Sequence, residues 1–411
     1  MQRRSHLIHA LLLSLGISGA IAAQDSSDLE ISYKNALLFN NSDGSVQLKI
    51  GGRLHNQWTF WDYDDALGPT GADMAPVDGV YFRRARLYFS GKLYDSVGFK
   101  AQYDFAGGTV GFKDAYIQLE IPAFGKYRVG QMYEPFGLET MTSSNNITFV
   151  ERSSGAGSIS PDRNTGMLLT DSWASGNGTW SFGWFRGDSD GAGDAEGDVD
   201  GSWTGRVTWL PLFEDDGARL IHLGIASSIR HVKDGEARFA ARPSARPSEK
   251  LVDTGLILDV DSVSLVGFEA AWVEGPLSLQ TEYMVASPEV AGGEELNFSH
   301  WYVEGSYVLT GEHRSYKKSS GVFGGVRPKT IWGSDEGKGA LQAAVRISST
   351  DFEDGTVNGG AMDQVALGFN WILNPACRVM IDHVRATSEP VGQTAIDADS
   401  QALTMRFQIT F

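Results

Sequence analysis

The chain has one cysteine, Cys377, so no disulfide closes within it, and its His and Cys residues show no zinc-binding spacing. After the first two dozen residues no apolar run approaches the ~20 residues that a membrane-crossing helix needs. Positive charge is scarce. Against 51 Asp and Glu there are 34 Lys and Arg, a net charge of −17, which argues against nucleic acid as a partner despite Arg238, Arg242 and Arg246 in one stretch. Catalytic motifs are missing too. There is no HExxH and no phosphate-cradling glycine loop. Residues 187–191, GDSDG, match G-x-S-x-G only inside an acidic loop and not at a strand-to-helix elbow. These absences point away from an enzyme, with no cofactor and no metal site assigned.

What is present begins with a secretory signal over residues 1–23. Arg3 and Arg4 precede an apolar run from Ala10, and Ala20-Ile21-Ala22 forms a small-residue cleavage site. Its removal takes two cations and no acid, so the charge falls to −19. The 49 glycines and 11% aromatics, with modest hydrophobicity, suit either a membrane barrel or a large secreted β-sandwich. Composition alone leaves both open.

Residues 80–105, VYFRRARLYFSGKLYDSVGFKAQYDF, favour the barrel. Two alternating runs meet at Asp95-Ser96, the pattern of a β-hairpin. In the first run Tyr81, Ala85, Leu87, Phe89 and Leu93 share one face, and Arg84, Arg86, Tyr88, Ser90 and Lys92 share the other. In the second, Val97, Phe99, Ala101, Tyr103 and Phe105 oppose Lys100, Gln102 and Asp104. A face of closely spaced cations does not build a dry core, because buried unpaired charge costs too much. It suits a sheet with lipid outside and water inside.

The same alternation marks strands near residues 46–58, 80–93, 97–105, 110–121, 126–131, 166–172, 179–186, 202–210, 219–231, 263–273, 277–285, 300–309, 340–349, 362–373, 378–386 and 401–411. This predicts an all-β, transmembrane antiparallel barrel of about sixteen strands with inward-folded loops, an even number as such barrels require. The run 251–258 is left out because it makes the count odd. Short turns then fall on one side and long loops on the other, again the barrel pattern. The organisation is a signal peptide, an N-terminal segment over 24–45, and a barrel over 46–411 carrying pore-constricting segments at 133–164, 232–262 and 311–337. The last of these is long although it lies on the short-turn side, and it carries Arg314, Lys317, Lys318, Arg327 and Lys329. Leu403, Met405, Phe407, Ile409 and the terminal Phe411 share one face, like the end signal of outer-membrane barrels.

Several patches in order resemble the phosphate-selective porin O and P family: FRRARLYFSGKL, KDAYIQLEIPAFGKYRVGQMYEPFGLE, TSSNNITFVERS, LTGEHRSY, GVFGGVRPK and LGFNWILNPACRVMIDHV. The resemblance covers most of the chain after the signal. It implies a sixteen-stranded outer-membrane barrel, usually a homotrimer, that passes phosphate or pyrophosphate along an internal arginine ladder and a lysine cluster. Arg83, Arg84 and Arg86 match the family's arginine-rich strand, and Arg152 lies in its loop motif. Where the family commonly has a lysine before Glu-Pro, this chain has Tyr133.

Arginine suits phosphate because its planar fork donates paired hydrogen bonds and stays charged. Arg84 and Arg86 stand ~7 Å apart along one strand face, and Arg53, Lys100, Lys126, Arg128 and Arg206 have the parity to face the same lumen. Arg83 has the opposite parity. Outward at mid-membrane it costs roughly 2–4 kcal/mol, so either it snorkels at the rim or a bulge turns it inward. Many acids sit in outer loops, among them Asp62, Asp73, Asp188 and Glu353, beyond the ~8–10 Å reach of unscreened charge on the pore. There they are solvated or bridge divalent cations to lipopolysaccharide. Expected partners are phosphate or other small anions, outer-membrane lipid and further copies of the chain. Inward acids and Tyr133 also admit a weakly selective channel or one for another anion, and a lumen plugged by its irregular segments gives a structural or adhesive barrel.

Overall fold

Alternating side chains, carried through sixteen strands, force a choice of faces, and the computed structural model shows how the chain makes it. The structure describes residues 29–64, 67, 76–122, 124–187, 201–292, 294–334, 336–389 and 398–411. The signal at 1–23 and the acidic run 188–200, with Asp65 and Asp73, lie outside the described residues.

The first eight strands are β1 (Val46–Tyr63), β2 (Gly79–Leu93), β3 (Val97–Asp104), β4 (Gly111–Ile121), β5 (Gly125–Tyr133), β6 (Arg163–Trp173), β7 (Gly178–Arg186) and β8 (Ser202–Glu214). They continue as β9 (Arg219–His231), β10 (Val260–Glu274), β11 (Leu277–Val290), β12 (Phe298–Val308), β13 (Ala340–Asp354), β14 (Val357–Asn374), β15 (Cys377–Ser388) and β16 (Ala398–Thr410). Each pairs antiparallel with the next, and β16 returns to β1 in register from Ser400↔Tyr63 to Thr410↔Arg53. The result is a closed sixteen-stranded barrel with no free edge, as the alternation predicts. Residues 251–258 add no barrel strand; Val252–Asp253 only pairs with Ala240–Ala241 in a loop.

The interior is polar and the exterior apolar. Along β14, Val365, Leu367 and Phe369 face out, 40–54% exposed, while Gln364 and Asn370, on the alternate positions at either end of the run, are buried. The terminal Phe411 packs on Gly52. Backbone bonds join the two residues, and a Cβ at Gly52 would stand 2.6 Å from both the Arg86 carbonyl and the Phe411 ring, so only glycine fits there.

Seven connections lie at the end that carries both described termini, and six of them are tight turns. The long loops project from the other end, which makes the tight-turn end periplasmic. Two features fall outside the sixteen-strand reading. In the N-terminal segment Leu29–Tyr33 and Leu37–Asn41 form a hairpin that continues the sheet along β1 below the end of β16, from Leu37↔Ile50 to Asn40↔Gln47. Its two runs are only five residues each, too short for alternation to mark them. At the periplasmic end Arg314–Lys317 and Val322–Val326 pair as a second hairpin, inside the lumen.

One assignment of faces needs correction. His55 pairs with Arg84 but Asn56 pairs with Phe82, so Arg83 is the extra residue of a β-bulge. Arg83 is thereby turned inward, and every residue before it changes face. Tyr81 points into the lumen rather than out with Leu87, and Val80 and Phe82 take the outer face.

A cation placed on the outer face should cost stability according to depth. Leu367→Lys, near mid-barrel, is expected to lose roughly 2–4 kcal/mol and Asp363→Lys, nearer the loop end, about 0–1 kcal/mol. Reversible unfolding in lipid vesicles measures both, and equal costs would contradict the assigned lipid-facing surface.

Candidate functional site

The lumen is divided by the loop between β5 and β6, residues 134–162, which folds inward and carries the short helix α1 (Leu138–Met141). Carboxylates on one side of the barrel hold it by its backbone. On β11, Glu282 accepts the N–H groups of Leu138 and Glu139 at 2.6 and 2.8 Å. On β15, Asp382 accepts Val150 N–H at 2.5 Å, and on β12 Glu304 accepts the Thr148 hydroxyl at 2.8 Å. Arg346 on β13 reaches Glu139 at 3.1 Å, and its guanidinium lies over the Phe149 ring. Phe136, Leu138, Ile147 and Phe149 are buried beneath these contacts. Inward acids of β11, β12 and β15 thus serve as loop anchors.

The open space lies against the opposite wall, β1 to β5. There a cavity of about 430 Å³ is lined by eleven Lys and Arg residues and only three carboxylates, Asp114, Glu151 and Asp162. Of the residues singled out in the sequence, Arg53, Arg83, Arg84, Arg86, Lys100 and Arg152 line it. Arg86 pairs with Asp104 at 2.7 Å, Lys100 with Asp114 at 2.5 Å, and Arg83 with Glu151 at 2.9 Å. Arg152 spends its guanidinium on the carbonyls of Glu139, Thr140 and Thr142, which fixes the loop's shape.

Arg53 and Arg84 differ from these. Arg84 is 4% exposed, and its only hydrogen bond among the described residues is a long one, 3.5 Å, toward His55 Nδ1. Arg53 donates to the hydroxyls of Ser144 and Ser143 at 2.9 and 3.3 Å. Neither has a carboxylate partner among the described residues, and the Nε of each is buried without an acceptor. A buried guanidinium left this way is costly unless a mobile anion or water completes it.

The remaining expected residues lie elsewhere. Arg206 on β8 is not part of this cavity: it is bound to Glu269 at 2.8 and 2.7 Å and to the Gly321 carbonyl, tying the lumenal hairpin to the wall. Arg128 lies toward the periplasm on β5, bonded to Gln118 and set over the Tyr116 ring, and Lys126 stands two residues farther down, opposite Glu120. Lys318 turns to the Phe213 ring on another wall. Lys317 lies in the lumenal hairpin and does not line the cavity; burial and then the charges of Lys49, Lys100, Arg53 and Arg327 lower its pKa.

Lys113, Arg163, Arg242, Arg246 and Lys250 line the cavity as well, and periodicity did not single them out. Lys113 sits in a second register shift, between Ala101↔Ala115 and Tyr103↔Phe112. Arg242, Arg246 and Lys250 come from the outer loop 232–259, which crosses the mouth; the Arg246 carbonyl accepts from Thr59, Tyr81 and Gln57. Their available signal was a cation every four residues from Arg238.

Comparison with known proteins agrees with this architecture. The model of the family described as phosphate-selective porin O and P matches residues 48–411. The chain belongs to that family. Porin O of Pseudomonas aeruginosa is 24% identical over 98% of this chain and 97% of its own length. An uncharacterized protein of Caulobacter vibrioides is 27% identical over 84% of this chain and 69% of its own. Among solved structures, the anion-selective porin from Comamonas acidovorans shares the fold with a TM-score of 0.55 at 12% identity, over 89% of this chain and all of that one. OmpT of Vibrio cholerae in its trimer form gives 0.51 at 13% identity, over 89% and 99%. This porin is therefore an integral protein of the outer membrane. At the position that departs from the family pattern, Tyr133 lines the cavity beneath the Arg163 guanidinium, 3.7 Å from its ring, and Arg163 bonds Asp114 at 2.8 Å.

If the far-wall acids hold the loop, removing one should widen the path. Asp382→Ala leaves Val150 N–H unpaired, at a cost of about 1–3 kcal/mol, and is expected to raise single-channel conductance. An unchanged conductance in the folded variant would mean that the loop does not limit the pore.

Proposed function

We propose that this porin is a passive, anion-selective channel that passes phosphate or pyrophosphate. The observation that carries the reading is the pair Arg84, buried, and Arg53, half-buried: both face the lumen with Nε unpartnered and no carboxylate of their own among the described residues. Arg242, Arg246 and Lys250 gather anions at the mouth. Arg84, Arg86, Arg53 and Lys100 then form successive rungs along β1 to β3, roughly 7 Å apart on one strand. Lys317, on the lumenal hairpin, and Arg128 continue the cations toward the periplasm. Several moderate sites suit conduction better than one tight site, because the ion must also leave. The net charge of −17 does not oppose this, since many acids sit in outer loops and others hold the far-wall anchors. The outer acids are then solvated or bridge divalent cations to lipopolysaccharide. The working unit is a homotrimer, a reading supported by the trimer form of OmpT, which shares the fold.

Planar-bilayer reversal potentials in a potassium chloride gradient test the selectivity. Anion preference is expected, whereas cation preference or a silent folded barrel would overturn the reading. Phosphate should block the chloride current. In Arg53→Ala with Arg84→Ala that block should weaken by about tenfold or more, the equivalent of one lost charged hydrogen bond.

A further inference from the structure

Glu151 is the carboxylate most enclosed by arginine in the cavity. Both of its oxygens lie in the fork of Arg83, at 2.9 Å from Nε and 3.3 Å from Nη2, and Arg406 Nη2 adds a third bond at 2.7 Å. Arg84 and Arg246 line the cavity beside it. Among the described residues, no other carboxylate there binds two arginines. Burial opposes its charge, but Arg83, Arg406 and Arg84 outweigh burial and hold the carboxyl well below its usual range. It is therefore ionised near neutral pH, where phosphate carries one or two charges.

Glu151 also belongs to the inward loop and not to the wall, so its contacts with Arg83 and Arg406 join two elements that only the fold brings together. Two carboxylate oxygens in a guanidinium fork reproduce the way two phosphate oxygens bind arginine. We propose that Glu151 is a tethered counter-anion. It occupies the place where the arginines converge most closely and competes with the passing oxyanion for Arg83. By that competition it sets how long a multivalent anion stays. Without it, Arg83 and Arg406 would join Arg84 as uncompensated charges, and the anion would bind too tightly to leave quickly.

This inference rests on the anion-channel reading, and the wild-type reversal potential, measured first, tests that reading separately. In an anion-selective wild type, Glu151→Gln is expected to let phosphate block the chloride current at about one tenth of the wild-type concentration, with blocked dwell times about tenfold longer. Glu151→Ala should move in the same direction, which keeps the test alive if the glutamine variant does not fold. Glu151→Asp, which keeps the charge, should return the block toward the wild-type value. The change should be larger for divalent hydrogen phosphate than for monovalent nitrate, a valence signature that loop packing alone does not produce. Wild-type block in both Glu151→Gln and Glu151→Ala would overturn the inference. So would equal changes for both anions that Glu151→Asp fails to reverse.

Discussion

Everything in this barrel depends on the pairing of β16 with β1. With that seam closed, each strand bonds to a neighbour on both sides, and no backbone group in the wall need meet lipid unpaired. Closure also fixes the faces. Each strand must turn one set of side chains to hydrocarbon, so the charged set can only go inward, and the lumen receives a high density of Arg, Lys, Asp and Glu. The hairpin of β2 and β3 shows this most plainly: Leu87 and Phe99 lie outside, Arg86 and Lys100 inside. The terminal Phe411 against Gly52 belongs to the same seam.

A lumen filled with both signs of charge would not select for either. The inward loop separates them. Glu282, Glu304 and Asp382 are engaged by backbone N–H groups or a hydroxyl of that loop, so their charge is directed into the protein and away from the water path. On the opposite wall the cations meet few acids, and the cavity keeps eleven positive groups against three negative ones. Segregation by the loop, and not the overall composition, lets an acidic chain present a positive pore. The same loop brings Ser143 and Ser144 to Arg53, so it lines the path as well as narrowing it.

The sequence made the barrel legible because period-two alternation is a local property and survives small errors in strand ends. It made the inward parity of Arg53, Arg84, Arg86 and Lys100 legible for the same reason. It was ambiguous where the period breaks. The bulge at Arg83 leaves no mark in composition, yet it turns that arginine inward and carries Tyr81 with it. Pairing was hidden as well. Parity placed Arg206 inside, but only the closed sheet and lumenal hairpin show that Glu269 neutralises it across 63 residues of sequence. Arg163 and the outer-loop cations lie in stretches without periodicity, where tertiary contacts alone decide orientation. Tyr133, read as a departure from the family pattern, proves to be the ring under Arg163, so a cation remains at that position although its residue and origin differ.

The ladder is graded, and the grading has a physical meaning. Arg86, Lys100 and Arg83 each have a carboxylate within ion-pair distance, while Arg53 and Arg84 have none among the described residues. A row of wholly uncompensated arginines would hold a phosphate as a ligand. A row of fully paired ones would leave the anion no reason to shed its water. Compensated and uncompensated groups set within a few ångströms of one another, on adjacent strands and one loop, give neighbouring sites of unequal and moderate strength. Each step then exchanges one set of charge-assisted hydrogen bonds for another, with no single deep well on the way. The carboxylates in the cavity are thus as much a part of anion conduction as the arginines, because they keep the strongest fork in the pore from becoming a trap.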